Sequence, residues 1–380
     1  MEQHSDGINE ERLTQEFIRL AEIASPSFRE RGIADYLKHR LAGFGLEVAE
    51  DDTGDRIGGD TGNIYTCLPG DKNRPALFLC AHMDTVNMAN GVKVVFKDGV
   101  FRSEGSTILG GDDKAGIAAI IEVLEVLRRQ PAPHGDLEIL FTVGEEQGLL
   151  GSKHFDCSRL KSKFGYVLDG SGDPGTMIIA APAQNQLDVI IRGRAAHAGI
   201  EPERGINAIQ VAGQALARLP LGRIDAETTS NMGVIQGGKA TNIVPDSCFI
   251  QGEVRSLDRA KMDALTSRIV SEFTGVAEAA GAVSEVRVTF KYPEFHLDRD
   301  LPVFRIAAGA AGKLGLKVSY ETSGGGSDAN NINAAGRAAA NLGIGMRQVH
   351  TTDEFIRLSD LVADARWLWE IVTSPSVFSS

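Results

Sequence analysis

The sequence predicts an α/β fold with a mostly parallel sheet flanked by helices, into which a second, α+β domain is inserted. Strand-like and helix-like runs alternate over the first part of the chain, and this rhythm changes between residues 183 and 295. The length agrees with two domains, because 380 residues exceed the usual size of a single hydrophobic core.

The first part of the chain alternates between the two periodicities. Runs with apolar residues at helical spacing are residues 11–24, residues 33–43 and a longer stretch from Asp112 to Leu127. Short aliphatic runs typical of strands are residues 63–68, 76–81, 137–143 and 165–168. Helices between short buried strands indicate a parallel sheet.

The insertion has a different order of elements. It reads as strand (186–191), helix (206–219), two strands (231–235 and 248–254), helix (259–280) and strand (283–292). This β-α-β-β-α-β order is that of the ferredoxin-like unit. After residue 301 the chain returns to long helices and a strand at 338–344. We therefore predict a discontinuous domain, residues 1–182 and 296–380, around an inserted domain, residues 183–295.

Histidines and carboxylates follow the strand-like runs of the discontinuous domain or open its long helix. They are His82, Asp84, Asp112, Glu145, Glu146, Asp169 and His350. Open α/β sheets place their sites at the carboxyl ends of strands, so we expect these side chains to meet. Imidazole nitrogens and carboxylate oxygens bind zinc, and two neighbouring metal ions need a bridging carboxylate. The pattern predicts a dinuclear metal hydrolase.

Each residue alone has an ordinary alternative. Asp112 could be a helix N-cap, Glu145 and Glu146 could form a solvated turn, and His350 could be a plain loop histidine. Their joint occurrence in this order favours the metal site.

Composition limits the partners and the location. A net charge of −12 argues against nucleic acid and anionic membranes as partners. No apolar run approaches the roughly 18 residues of a membrane helix, and the four cysteines are scattered without paired spacing. We therefore expect a cytoplasmic protein with reduced thiols.

The motifs resemble those of the cocatalytic zinc exopeptidases and deacylases that include peptidase T, carboxypeptidase G and aminoacylase, and most closely the peptidase T-like tripeptidases. The segments that carry this resemblance are CAHMDTV (80–86), GGDDKAG (110–116), GEEQG (144–148), VLDG (167–170), SGGGSDAN (323–330) and VHTT (349–352). The resemblance runs essentially from end to end. It implies that the discontinuous domain is catalytic and binds metal, and that the insertion is a lid that also dimerises.

The resemblance also implies a ligand set for two divalent ions. Asp112 would bridge the ions, His82 and Asp169 would complete the shell of one, and Glu146 and His350 that of the other. Zinc is the metal implied, although cobalt and manganese use the same kinds of ligand. In this family the peptide bond that follows the bridging aspartate is usually cis.

Most of the remaining roles also come from the resemblance. Asp84 would hold the His82 imidazole in the correct tautomer. Glu145, desolvated beside another carboxylate, would have a raised pKa suited to a general base. His197, in the inserted domain, would stabilise the oxyanion, where the alternative is a histidine that closes a turn. Asn242 and Arg255 resemble substrate-holding positions of the family, although Arg255 could instead be a surface charge. Independently of the resemblance, the glycine-rich loop of Gly325 and Ser327 offers backbone amides that could approach the substrate closely, and its alternative is a flexible turn.

The implied activity is metal-assisted hydrolysis of the N-terminal peptide bond of short peptides, as in a tripeptide aminopeptidase, with a metal-bridged hydroxide and Glu145 as general base. One alternative is an N-acyl amino acid deacylase or carboxypeptidase with the same metals. A second is a peptide-binding or metal-binding protein without turnover. The lid histidine predicts a homodimer or a closing hinge.

Overall fold

The computed structural model describes residues 7–374 and contains two compact units. The first unit ends at Ala181 and resumes at His296, and the second is the continuous segment Pro182–Phe295. Across the described residues, none of the helices combines the length and the apolar composition that crossing a bilayer requires.

The strands are, in chain order, β1 (Val48–Glu50), β2 (Ile64–Leu68), β3 (Leu77–His82), β4 (Val94–Lys97), β5 (Val100–Ser103), β6 (Leu137–Thr142), β7 (Phe164–Gly170), β8 (Thr176–Ala181), β9 (Ala183–Arg192), β10 (Gly222–Arg223), β11 (Thr228–Gly237), β12 (Ser247–Ser256), β13 (Val283–Tyr292), β14 (Phe295–His296), β15 (Ser319–Thr322), β16 (Ala338–Gly343) and β17 (Phe355–Arg357). The α-helices are α1 (Glu10–Glu22), α2 (Arg31–Gly43), α3 (Thr53–Ile57), α4 (Gly111–Arg129), α5 (Leu150–His154), α6 (Ala208–Leu216), α7 (Arg259–Ala279), α8 (Pro302–Lys313), α9 (Asp328–Ala334) and α10 (Leu358–Thr373).

The main sheet of the first unit has a parallel centre. Its strands follow the order β1-β2-β6-β3-β7-β16-β8-β14, and β15 pairs with β8. The pairs β6-β3, β3-β7 and β7-β16 are parallel, whereas β1-β2, β2-β6 and β16-β8 are antiparallel. The predicted α/β fold with its mostly parallel sheet is confirmed, since the four central strands, β6, β3, β7 and β16, are parallel to one another and antiparallel pairing begins only at β2 and at β8.

Burial explains why these elements form. Every residue of β3 and β6 is buried, as expected for parallel strands covered on both faces. Helix α4 is buried from Gly111 to Leu127, so its small and aliphatic side chains join the core of the unit. Helix α1 begins after Asn9, whose side chain accepts a hydrogen bond from the backbone N–H of Arg12, and it buries Phe17 against the same core.

The second unit contains a sheet in the order β10-β11-β12-β9-β13, with antiparallel neighbours throughout. Helices α6 and α7 contribute to one core with the alternating inward residues of β9, such as Leu187, Val189 and Ile191. The element order is β-α-β-β-α-β with the short β10 added. Asp258 caps α7 by accepting hydrogen bonds from the N–H groups of Ala260 and Lys261.

The topology of the first unit brings the carboxyl ends of its parallel strands to one edge. β3 ends at His82, β7 reaches Asp169 one residue before its end, and β6 is followed two residues later by Gly144, which leads into Glu145. β3 lies between β6 and β7, so the chain crosses over it between those two strands. Such a crossing point is where open α/β sheets form clefts.

Candidate metal centre

Asp112 lies between two histidine rings. Its Oδ1 is 2.8 Å from Nε2 of His82, and its Oδ2 is 3.3 Å from Nε2 of His350. His350 Nε2 is also 3.0 Å from Oε1 of Glu146, and His82 Nε2 is 3.9 Å from Oδ1 of Asp169. The structure thus brings together all five residues predicted as metal ligands, with one oxygen of Asp112 toward each imidazole.

The local backbone departs from regular structure where it presents these side chains. Asp112 has φ −82° and ψ 104° inside the first turn of α4, and the bond from Asp112 to Asp113 is cis. Gly144, between β6 and Glu145, has φ 58°, a left-handed conformation that glycine adopts without steric cost. His350 has φ 63° in the loop before β17.

The ring of His82 is oriented by a contact on the side opposite Asp112. Its Nδ1 lies 2.9 Å from the backbone carbonyl of Asp84, an acceptor that assigns the proton to Nδ1 and leaves Nε2 facing Asp112. The Asp84 carboxylate is farther away, with Oδ1 3.5 Å from Nδ1. The backbone carbonyl is therefore the nearer of the two groups that orient the imidazole.

The Asp84 carboxylate has a second set of contacts. It accepts hydrogen bonds from the backbone N–H groups of Glu145 at 2.9 Å and Glu146 at 3.2 Å. The hydroxyl of Ser27 donates a third, at 2.7 Å. Asp84 thus ties the end of β3 to the turn that carries both glutamates.

Crowded carboxylates dominate the electrostatics. Burial raises the pKa of Glu145 well above its ordinary value, and the nearby charges of Asp328 and Glu146 raise it further. Burial and the neighbouring Asp112 likewise raise the pKa of Asp169. Although burial opposes ionisation of Asp112, its contacts with the imidazoles of His350 and His82 hold its pKa well below the usual range. So much buried negative charge favours the binding of cations.

Two overlapping groups of side chains offer ligand atoms within 4.8 Å of one another: His82, Asp112 and Glu146, and His82, Asp113 and Asp169. Asp113 is the less suitable ligand, because its Oδ2 accepts from the backbone N–H of His82 at 3.1 Å and its Oδ1 from that of Gly116 at 3.2 Å. Imidazole nitrogens with carboxylate oxygens fit zinc, cobalt or manganese. The residues present therefore fit divalent metal ions.

Glu145 belongs to neither of these groups, although it precedes Glu146 and is only 8% exposed. Glu146 faces His350, so the two adjacent carboxylates occupy different positions. This separation is what a division between a metal ligand and a proton-transferring group requires.

The two predicted substrate residues of the first unit lie at the start of α9. Ser327 is the N-cap of this helix, is buried, and donates its backbone N–H to Oδ1 of Asn330 at 3.0 Å. The N–H of Gly325 donates to the Ser323 hydroxyl at 3.0 Å. These contacts fix the loop, and substrate binding by either residue stays a prediction.

The other three predicted residues lie in the second unit. His197 is exposed and forms a β-bridge with Ile243, and the N–H of Ala198 donates to the carbonyl of Asn242 at 2.9 Å. The loops of His197 and Asn242 are therefore neighbours. Arg255, on β12, donates from Nε and Nη2 to the carboxylate of Glu253, at 2.9 Å each. The roles of all three toward substrate stay predictions.

Several buried polar residues near the centre were missed by sequence reasoning. Asp328 accepts hydrogen bonds from the hydroxyl of Thr142 and the thiol of Cys80, and it lies inside the SGGGSDAN segment, where an acidic residue beside a glycine run was an available signal. Lys114 is fully buried and donates to the carbonyl of Met83 at 2.6 Å; burial lowers its pKa to about 8.

Glu30 was also missed. It accepts from the backbone N–H of Gly144 at 3.0 Å, and burial together with the charge of Asp84 raises its pKa to about 7. No sequence signal marks Glu30, because its partner lies 114 residues away.

Comparison of the sequence with known proteins identifies its relatives. The family model described as peptidase family M20/M25/M40 matches residues 78–374. The chain is 42% identical to the uncharacterized protein YqjE of Bacillus subtilis, over 96% of this chain and 98% of that one. It is 24% identical to peptidase T of Geobacillus kaustophilus, over 90% of each chain.

Solved structures show the same relationship. Aminopeptidase PepT from Bacillus cereus superposes with a TM-score of 0.86 at 42% identity, and a tripeptidase from Staphylococcus aureus with a TM-score of 0.91 at 39% identity. Each alignment covers 96% of this chain and 98% of the other. With an α/β fold, a cluster of histidines and carboxylates at its strand ends and these relatives, the chain belongs to peptidase family M20/M25/M40.

Proposed function

We propose that this protein is an aminopeptidase that removes the N-terminal residue of short peptides, tripeptides in particular, with two zinc ions. The substrate class is supported by the aminopeptidase and the tripeptidase that share about two fifths of its residues over nearly the whole chain. The metal requirement is supported by the donor set around Asp112.

One observation carries the proposal: the two oxygens of Asp112 face two different imidazoles, His82 and His350. This arrangement supports a role for Asp112 as a carboxylate shared by two ions. His82 and Asp169 would hold one ion, and Glu146 and His350 the other. Two divalent ions bound at such a site supply the acidification of a water molecule and the polarisation of a carbonyl oxygen.

Glu145 would transfer the proton. Its buried carboxylate has a raised pKa, so it can accept a proton from water at a carboxylate oxygen and donate that proton to the leaving amine. Asp84 would keep Glu145 in place, since it accepts a hydrogen bond from the Glu145 backbone N–H.

The remaining roles concern the oxyanion and the substrate. We assign stabilisation of the oxyanion to His197 and binding of the peptide to Asn242, Arg255, Gly325 and Ser327. An accessible imidazole suits that role, and His197 is exposed. Homodimerisation is also part of the proposal and is supported by exposed apolar side chains on this unit, such as Ile200 and Ile235. A cytoplasmic location, with no nucleic-acid or membrane partner, stays a prediction.

The test compares hydrolysis of trialanine with that of N-acetyl-trialanine, before and after chelation and after addition of zinc, cobalt or manganese. We expect cleavage of the free-amine peptide alone, loss of that cleavage on chelation and the best recovery with zinc. Preference for the acetylated peptide would indicate a deacylase or carboxypeptidase instead. Binding of peptide without cleavage would indicate a protein without turnover.

A matched pair of histidine variants links the activity to the site. His350→Ala removes a predicted ligand, whereas His134→Ala removes a half-buried ring that contacts the carbonyl of Gly135. We expect the first variant to lose hydrolysis and the second to retain it.

A further inference from the structure

Glu354 is a buried carboxylate outside the ligand set. It is 2% exposed and accepts hydrogen bonds from the backbone N–H groups of the four consecutive residues 109–112, at 2.8, 2.9, 2.8 and 3.3 Å in chain order. The last of these donors belongs to Asp112. One side chain thus binds the segment that leads into α4 and carries the proposed bridging residue.

The donors of Gly111 and Asp112, in the first turn of α4, need such a partner. The first N–H groups of a helix have no acceptor within the helix, and the N-cap of α4 is Gly110, which has no side chain to supply one. Glu354 supplies the acceptor from 244 residues farther along the chain, and its negative charge is favourable at a helix N-terminus. A Cβ atom on Gly111 would lie 3.1 Å from Glu354 Oε1, so glycine permits this close approach.

Glu354 and His350 belong to one short loop. The N–H of Glu354 donates to the carbonyl of Thr351 at 3.1 Å, which closes a turn directly after His350. At one end of this loop, His350 faces Oδ2 of Asp112; at the other, Glu354 holds the backbone of Asp112. The loop therefore contacts both the side chain and the main chain of Asp112.

We propose that Glu354 is a positioning residue of the metal centre, which fixes the Asp112 carboxylate relative to His350. This inference rests on the proposed metal-dependent function. Without the carboxylate of Glu354, four buried N–H groups lose their acceptor, and the first turn of α4 is free to shift. The ion shared by Asp112, Glu146 and His350 would then be bound less tightly.

The test uses Glu354→Gln, which keeps the shape of the side chain. It replaces one carboxylate oxygen, which accepts hydrogen bonds from N–H groups, with an NH₂ group, which cannot accept them. Glu138→Gln is the matched control. Glu138 is also buried and accepts from the backbone N–H groups of Lys161 and Ser162, but it lies near the start of β6, away from the carboxyl ends of the strands. For both variants, three quantities are measured: zinc affinity, the temperature of thermal unfolding, and the rate of trialanine hydrolysis at saturating zinc.

We expect Glu354→Gln to bind one of its two zinc ions roughly 10- to 100-fold more weakly than the parent, the usual effect of losing a group that supports metal ligands. Glu138→Gln should unfold at a lower temperature with unchanged zinc affinity. Wild-type zinc affinity in Glu354→Gln would overturn the positioning role and leave the proposed function intact. A parent protein that binds no zinc and cleaves no peptide would overturn both.

Hydrogen exchange of the wild-type protein tests the same contact without a substitution. After chelation, the amides of residues 109–112 should still exchange roughly 100-fold more slowly than unprotected amides, because Glu354 rather than the metal holds them. Rapid exchange at these amides would contradict the proposal, even if Glu354→Gln failed to fold.

Discussion

The buried carboxylates around the candidate metal centre include two kinds. Asp112 and Glu146 face imidazole nitrogens, whereas Asp84 and Glu354 accept hydrogen bonds from backbone N–H groups. The second kind holds in place the polypeptide that carries the first. The predicted ligands could be selected from the sequence because each follows a strand-like run or opens a helix, and the structure brings these side chains together. No spacing pattern indicates Glu354, because the backbone amides it binds lie more than 240 residues away.

Glu145→Gln tests whether the carboxylate of Glu145 transfers the proton. Glutamine has nearly the same shape but cannot accept the proton, so hydrolysis of trialanine should fall roughly 10²- to 10⁴-fold. Metal content, measured by elemental analysis, should stay at the parent value, because Glu145 is in neither ligand group. Activity within a few-fold of the parent would show that another group transfers the proton.

Asp84→Asn tests the contact between the end of β3 and the two glutamates. An amide retains only one acceptor oxygen for the N–H groups of Glu145 and Glu146, so we expect kcat/KM to fall roughly 10- to 100-fold. Asp136→Asn is the control, because Asp136 also accepts a backbone N–H, that of Gly70, before the start of β6. Equal losses in both variants would argue for a general effect on stability.

At the scale of elements, length decided what could be predicted. The long helix α7 and the strand β13 lie within one residue of the predicted bounds, because twenty-one and ten residues show their periodicity clearly. The small sheet β4-β5-β17 was missed, since its strands have three or four residues and β17 pairs with a strand about 250 residues earlier. The predicted start of α6 at residue 206 was two residues early, because Asn207 caps the helix by accepting from the N–H of Gln210.

An ion-pair cluster joins α2 to β1. Glu50, at the end of β1, accepts hydrogen bonds from Arg31 and Lys38 of α2, and the hydroxyl of Thr61 donates to it as well. Although burial opposes ionisation, these hydrogen bonds hold the pKa of Glu50 well below its ordinary value of 4.5. The cluster therefore stabilises the folded protein most above pH 4.5, and this contribution is lost as the pH falls toward the folded-state pKa.

Glu50→Gln should lower the free energy of unfolding by about 1 kcal/mol near neutral pH, the upper range for a partly exposed ion pair. In acid, at about pH 3, the difference from the parent should shrink, because the unfolded parent then takes up a proton. Urea unfolding at both pH values measures this difference in the free energy of unfolding between Glu50→Gln and the parent. The exposed Glu104→Gln is the control, with an expected change below about 0.5 kcal/mol at either pH. A difference that grew in acid would contradict the assignment.

At the scale of the whole molecule, the first unit is assembled from two segments of chain. The N–H of Leu297 donates to the carbonyl of Ile179 at 2.8 Å, so the chain leaves this unit and returns to it at adjacent positions. All five proposed metal ligands lie in this unit, whereas His197, Asn242 and Arg255 lie in the other.

Replacing residues 183–294 with a short glycine and serine linker should therefore leave a unit that folds and binds two metal ions. Hydrolysis of trialanine should fall at least roughly 100-fold, because the proposed oxyanion-stabilising group is gone. In the intact protein, His197→Ala should lose activity, whereas His296→Ala, which alters an exposed histidine, should not. Full activity of the shortened protein would contradict the roles assigned to the insertion.

The position of β16 has a consequence for biosynthesis. This strand lies between β7 and β8, yet it is made about 160 residues after them. In a chain that is still being synthesised, β7 and β8 cannot be joined through β16 until residues 338–343 have been made. His350 and Glu354 follow only after that strand. A growing chain thus lacks a complete site until residues 338–354 have been made.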